Sequence, residues 1–270
     1  MAQTKKNRSP KKQWGQFMTP TSLSREILQK LTFTWKSKVL EPSFGDGSFI
    51  LNLFSKFMEI YPAKQKVEEK LIQILQHNLW GVEIDPIKYE ATLNLIKEEF
   101  GFLPPHNFYC QDFFDFESGI KFDFIVGNPP FGGTMTLTQQ DFLDKKYGKR
   151  HGMKIKKETY SFFILKSFDH LAAQGTLCFI SADTFLTIKS MKGLRNFLFR
   201  EGFNQLQSLT FFSVETSYPM VILTHQRGQP QNYLELDGVQ MTEEVIKLTS
   251  HNSWHLQPKY IKFFYSSSFS

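Results

Sequence analysis

Four short apolar runs fill the first half of the sequence, and each stops on residues that strands seldom carry. Val39-Leu40 stops at Glu41-Pro42, and Leu79-Trp-Gly-Val82 stops at Glu83-Ile84-Asp85-Pro86. Asn107 to Cys110 runs into Gln111-Asp112-Phe113-Phe114, and Phe122 to Val126 runs into Gly127-Asn128-Pro129-Pro130-Phe131. Between the runs the spacing is helical: Ile50, Leu51, Leu53, Phe54 and Phe57 share one face of Ser48 to Tyr61, and Pro86 suits the first turn of a helix reaching Phe100. Strands alternating with helices predict βαβ units, right-handed crossovers and a mostly parallel sheet covered on both faces. Such sheets bind ligands at the carboxyl ends of their strands, so the four unusual strand ends should form one crevice.

Further on, the pattern predicts a helix over Tyr160 to Leu171, a strand over Thr176 to Ser181 and a helix over Met191 to Glu201. Two closing strands follow, Leu206 to Phe212 and Met220 to Thr224, one of them antiparallel. The 270 residues suit one large domain with appendages. We expect a basic arm over residues 1–14, a catalytic domain over 15–226 that includes a long basic loop at 132–158, and a short extension over 227–270.

Most of the 29 phenylalanines must be core, since burying large apolar side chains drives folding. Net charge is +6, but Met1 to Lys12 and Lys145 to Lys157 hold 12 of the 32 basic residues and no acid, leaving 20 bases against 26 acids elsewhere. Concentrated positive charge on an acidic body suits a polyanion such as nucleic acid, and suits a solvated tail and loop equally well. Cys110 and Cys178 show no metal or disulfide spacing, and His251 and His255 stand four apart without a third ligand type nearby. No metal is therefore expected. The basic start lacks a secretory h-region and no apolar run is long enough to span a bilayer, so a cytoplasmic location and no membrane partner are expected.

The turn Glu41-Pro-Ser-Phe-Gly-Asp-Gly47 carries Gly45 and Gly47, which let backbone approach a ligand. A dinucleotide fingerprint would place a third glycine where Ile50 stands, and no GKS or GKT ending offers a triphosphate site. Glu41 would repel a phosphate and attract a cationic group. Glu83 stands where such folds keep a carboxylate for ribose hydroxyls, and Asp112 can accept from an adenine amino group between the apolar faces of Ile84 and Phe113. An adenosine with a positively charged amino-acid end fits all three acids, which describes S-adenosylmethionine.

In order, GQFMTP (residues 15–20), EPSFGDGSF, GVEIDP, QDFF and GNPPF resemble the gamma class of adenine-N6 DNA methyltransferases of restriction–modification systems. The likeness spans Gly15 to Thr224 and implies the Rossmann-like, S-adenosylmethionine-dependent methyltransferase fold. It implies that Asn128 and the Pro129 carbonyl accept hydrogen bonds from the target amino group, that Pro129 and Pro130 hold them rigid, and that Phe131 stacks on the flipped base. It also implies that Thr19 touches the methionine carboxylate, that Pro20, Pro42, Ser43 and Phe49 line the cofactor side with their motifs, and that Phe163 lies beside the cofactor adenine. Helix core explains Phe163 equally well.

Phe17 is expected in the base pocket, and Phe212 on the other face of the base, with Phe211 close behind. Lys145, Lys146, Lys149, Arg150 and Lys154 are expected to contact phosphates of duplex DNA. Lone gamma-class enzymes usually carry a large recognition domain; a separate specificity subunit or restriction endonuclease as partner, a small recognition element built from the tail and the basic loop, and a shortened, inactive chain each fit the sequence. An RNA adenine methyltransferase and a non-catalytic subunit of a DNA-binding complex stay open as alternatives.

Overall fold

The computed structural model describes residues 18–131, 135–182, 184–209, 220–228 and 233–242. Strand β1 (Val39–Glu41) lies between β2 (Leu79–Glu83) and β4 (Phe122–Gly127), parallel to both. Every residue of β1 and β2 is buried, so these strands are covered on both faces, and their near-continuous apolar sequence follows from that. β3 (Asn107–Cys110) pairs with β2, and β7 (Leu171–Ala182) pairs with β4, again in parallel. Strands β8 (Gly202–Leu209), β9 (Met220–Arg227), β10 (Tyr233–Leu236) and β11 (Val239–Thr242) complete a nine-stranded sheet of order β3-β2-β1-β4-β7-β9-β8-β10-β11. β9 runs antiparallel to both its neighbours, as the sequence predicts for a closing strand.

Helices α1 (Thr21–Gln29), α2 (Ser48–Ile60), α3 (Val67–Gln73), α4 (Pro86–Phe100), α5 (Leu137–Tyr147), α6 (Thr159–His170), α7 (Thr184–Thr187) and α8 (Lys192–Glu201) connect the strands. Local chemistry sets several of their ends. Asp85 accepts from the Ile87 N–H at 2.9 Å with Pro86 behind it, and Gly101 closes α4 in the left-handed conformation at φ 79°. The phenylalanines sit largely in the core: Phe33 packs on Phe57 and Phe124, and Phe168 on Phe197. Among the described residues no helix is long and apolar enough to cross a membrane.

Two stretches differ from the sequence expectation. The basic segment expected as an irregular loop over 132–158 carries, in its described part, helix α5 and a hairpin of β5 (Lys149–Arg150) and β6 (Met153–Lys154). Thr136 caps α5 by accepting from the Gln139 N–H at 3.2 Å, but only Leu143 and Tyr147 on this helix are buried, too few to print a clear helical period. The extension expected after residue 226 begins within β9, and β10 and β11 add to the same sheet through β8. Their partner lies about thirty residues upstream, beyond the reach of local patterning.

The hairpin rests on α8 at Gly193, where an added Cβ would lie 2.1 Å from the Lys154 carbonyl oxygen. Backbone cannot yield there as a flexible side chain could. Gly193→Ala should therefore cost about 1–3 kcal/mol, in the range of overpacking, and should lower the urea midpoint. An unchanged midpoint would show that the hairpin does not pack on α8.

Candidate active site

Strands β4, β1, β2 and β3 are adjacent in that order, so Asn128, Glu41, Glu83 and Asp112 follow one another along the carboxyl edge of the sheet. With strands spaced by about 4.8 Å, the row measures about 14 Å across, room for an elongated ligand lying over the strand ends. Thr19, Glu41, Ser43, Gly45, Phe49 and Asn128 line one narrow cleft at this edge. Met18, Asp46 and Lys88 join them on its wall.

The chain reaches this arrangement through its glycines. Gly45 and Gly47 take positive φ values of 56° and 79° in the turn after β1. Gly127 ends β4 at φ 152°, and a Cβ there would stand 3.3 Å from Glu41 Cγ, so Gly127 lets the chain leave the sheet directly over the Glu41 side chain. Asn128 is then held from two sides. Its amide nitrogen donates to Thr19 Oγ1 at 3.2 Å, and its carbonyl accepts from Ser43 Oγ at 3.4 Å. Pro42 and Pro129 are buried and Pro130 is half-buried. Pro20 is exposed and opens α1 through its carbonyl, which accepts from Leu23 N and Ser24 N.

Glu83 is 1% exposed, and its two oxygens accept from the Gly45 N–H at 2.7 Å and the Asp85 N–H at 2.9 Å. Those bonds fix the orientation of the carboxylate. Asp112 accepts from the Phe114 N–H at 2.9 Å and from the Gln139 amide at 2.6 Å. Beside it Phe163 packs on Phe113 with ring centroids 5.0 Å apart, and Ile84 is half-buried. Phe131 is 9% exposed, and Tyr160 stacks on it at 5.8 Å and 29°. The Tyr160 hydroxyl in turn bonds Ser181 on β7.

Glu41 dominates the electrostatics. It is 2% exposed, its Oε2 meets no hydrogen-bond partner among the described residues, and its carboxyl is pushed well above the ordinary carboxylate range. Burial is the main cause, with Asp46 and Glu83 adding to it. Burial also raises the Asp46 carboxyl. A cleft that crowds carboxyls this way suits a cationic group, whose charge would restore the ionised form of Glu41. This fits the ammonium end of S-adenosylmethionine.

Gln139, Tyr160 and Lys88 escaped the sequence reading. Gln139 lies on the weakly patterned α5, and Tyr160, in YSFF, reads as helix core. Phe17 and Phe212 lie outside the described residues. On the basic segment, Lys146 pairs with Asp169 at 3.1 Å, Lys157 with Asp144 at 2.8 Å and Lys156 with Glu158. Arg150 donates to the Lys146 and Lys149 carbonyls at 2.9 Å, while Lys145, Lys149 and Lys154 are exposed.

Residues 66–215 match the model of the Eco57I restriction-modification methylase family. The chain is 34% identical over 176 residues to the type II methyltransferase M.BstVI of Geobacillus stearothermophilus, covering 60% of this chain and 31% of that protein. It is 25% identical to the type II methyltransferase M.HincII of Haemophilus influenzae, covering 92% of this chain and 47% of that one. The chain thus spans about a third to a half of the length of these relatives. The M protein of the type I restriction enzyme EcoKI superposes with TM-score 0.62 at 17% identity, over 90% of this chain and 52% of that one. The chain of a DrdV–DNA complex superposes with TM-score 0.68, also at 17% identity, over 92% and 30%. The fold is that of S-adenosylmethionine-dependent methyltransferases.

The raised carboxyl of Glu41 has a consequence for stability. The folded chain holds this proton to higher pH than the unfolded chain, whose ordinary value is 4.5. The stability it contributes is full below that value and is lost as pH rises through the raised one. Glu41→Gln, neutral throughout, should flatten that decline in a series of urea midpoints. An identical decline in wild type and variant would contradict the assignment.

Proposed function

Because the chain belongs to the Eco57I restriction-modification methylase family, we propose that it methylates the N6 amino group of an adenine flipped out of duplex DNA. The observation that carries this reading is the side-by-side placement of Asn128 and the buried Glu41 in one cleft, with Thr19 holding the Asn128 amide. S-adenosylmethionine, when bound, supplies a methyl group made electrophilic by its sulfonium. Glu41 takes the cationic amino-acid end, Glu83 the ribose hydroxyls, and Asp112 the adenine amino group between Ile84, Phe113 and Phe163.

The amino nitrogen of adenine is a weak nucleophile because its lone pair is delocalised into the ring. Asn128 Oδ1 and the Pro129 carbonyl accept from its two N–H groups, hold the nitrogen nearer tetrahedral geometry and free the lone pair for in-line attack. No strong base is needed, since the proton can leave after transfer; positioning and fixed dipoles supply the acceleration. Flipping the base costs a few kcal/mol. Phe131, backed by Tyr160, offsets about 1–3 kcal/mol of that by stacking.

Asn128→Ala should lower methyl transfer to genomic DNA by about 10²–10³-fold or more while binding S-adenosylmethionine with wild-type affinity. The check is methyladenine-detecting sequencing after expression in a methylation-free host, with calorimetry for the donor. An active Asn128→Ala variant would sink the reading.

On the basic segment, Lys145, Lys149 and Lys154 are exposed and stand outside the ion pairs of Lys146, Lys156 and Lys157, and they are the proposed phosphate contacts. Three contacts give a log–log salt slope of DNA affinity near −3, and each Lys→Ala change should reduce it by about 1. A slope insensitive to all three replacements would remove this segment from the DNA interface.

A further inference from the structure

The amide of Asn128 has two chemically different ends, and only the oxygen can accept from a substrate amino group. Resting on the proposed transfer to adenine, we infer that Thr19 is the positioning residue that holds this amide in place with its oxygen toward the substrate. Its hydroxyl oxygen accepts from Asn128 Nδ2 at 3.2 Å, which turns Oδ1 to the opposite side. Ser43 Oγ holds the Asn128 backbone carbonyl at 3.4 Å, so side chain and backbone are each held by a different segment. With the backbone fixed and Pro129 locking the next φ, rotation of the amide is the main freedom left to the acceptor pair.

Thr19 is itself held in register. The Pro20 carbonyl accepts from Leu23 N at 3.0 Å and Ser24 N at 3.1 Å, starting α1 one residue after Thr19. α1 is pinned to α2 by buried polar contacts: Ser24 Oγ meets Ser48 Oγ at 2.8 Å, and Asn52 Nδ2 donates to Ser24 Oγ at 2.7 Å and to the Thr21 carbonyl at 2.9 Å. Ser24 is fully buried, so losing one of these partners would leave a buried polar group unsatisfied. The α1–α2 junction thereby places a hydroxyl against the catalytic strand end, 109 residues away in sequence.

The test compares Thr19→Val, which keeps the shape and removes the hydroxyl, with Thr19→Ser, which restores it. In single-turnover transfer to duplex DNA, Thr19→Val should be slower by about 10–100-fold, the scale of a misplaced reacting group. The deficit should persist at saturating S-adenosylmethionine, and Thr19→Ser should recover most of the rate. A rate that saturating donor restores would make Thr19 a donor ligand alone and overturn the inference, as would a wild-type rate in Thr19→Val.

A second readout needs no turnover. In nitrogen-correlated spectra the Asn128 side-chain amide, identified by its loss in Asn128→Ala, should exchange with water about tenfold faster in Thr19→Val than in wild type. Unchanged exchange would also overturn the inference. An active Asn128→Ala enzyme would instead defeat the proposed role of Asn128 itself, so the two failures remain distinguishable.

Discussion

The pairing of β1 between two parallel neighbours is the constraint on which the site depends. Val39 pairs with Leu79 on one side and Phe124 on the other, and this register brings the strands out of the sheet together at their carboxyl ends. Because β1 is buried throughout, its last residue ends the strand inside the core, and that residue is Glu41. An apolar residue there would pack at no desolvation cost. A buried carboxyl stands there instead, pushed toward its protonated form first by burial and then by the charges of Asp46 and Glu83 beside it. Such an arrangement sacrifices stability for chemistry at a strand end, as ligand sites commonly do.

How well the sequence reveals this structure depends on how local each cause is. Leu79–Glu83, Pro86–Phe100 and Asn107–Cys110 take the limits that their apolar runs, the Asp85–Pro86 start and the Gly101 stop indicate. The four strand ends share one edge because the sheet is parallel, a consequence of alternation alone. α1 lacks a side-chain cap and is only nine residues long, so its existence rests on tertiary contact with α2. β7 starts at Leu171, five residues before the apolar run at Thr176, because Phe122 and Leu171 pair across a register shift no local pattern encodes. In the site, the acids and the Asn-Pro-Pro-Phe end were legible by type and place. Gln139 on Asp112 and Tyr160 behind Phe131 were not, since each is defined by a neighbour from another element.

Local positive charge in the sequence also overstates the charge available to a partner. Lys146, Lys156 and Lys157 lie beside carboxylates of the chain itself, and Arg150 is spent on carbonyls and on the ring of Tyr147. Exposed pairs of this kind add little to stability, but they do fix where each ammonium sits. Of the acids that answer the basic run, Asp144 and Glu158 flank it and Glu117 and Asp169 are distant in sequence, so a window over Lys145 to Lys157 shows an excess that the fold partly cancels.

The same contacts turn the segment into a support. One end of α5 is tied to the strand edge by Gln139 on Asp112, and the other by the Tyr147 hydroxyl on Asp169 at 2.6 Å. Lys166, 1% exposed, reaches Glu117 at 2.6 Å and gathers the same cluster from α6. A helix pinned at both ends carries Lys145 on a fixed backbone, and the hairpin packed on α8 does the same for Lys149 and Lys154. Ordering a flexible loop around a polyanion would cost conformational entropy for each residue immobilised, of order 1–2 kcal/mol. Here the folding of the chain has already met that cost, so a polyanion docking on this segment would have only the lysine side chains left to order.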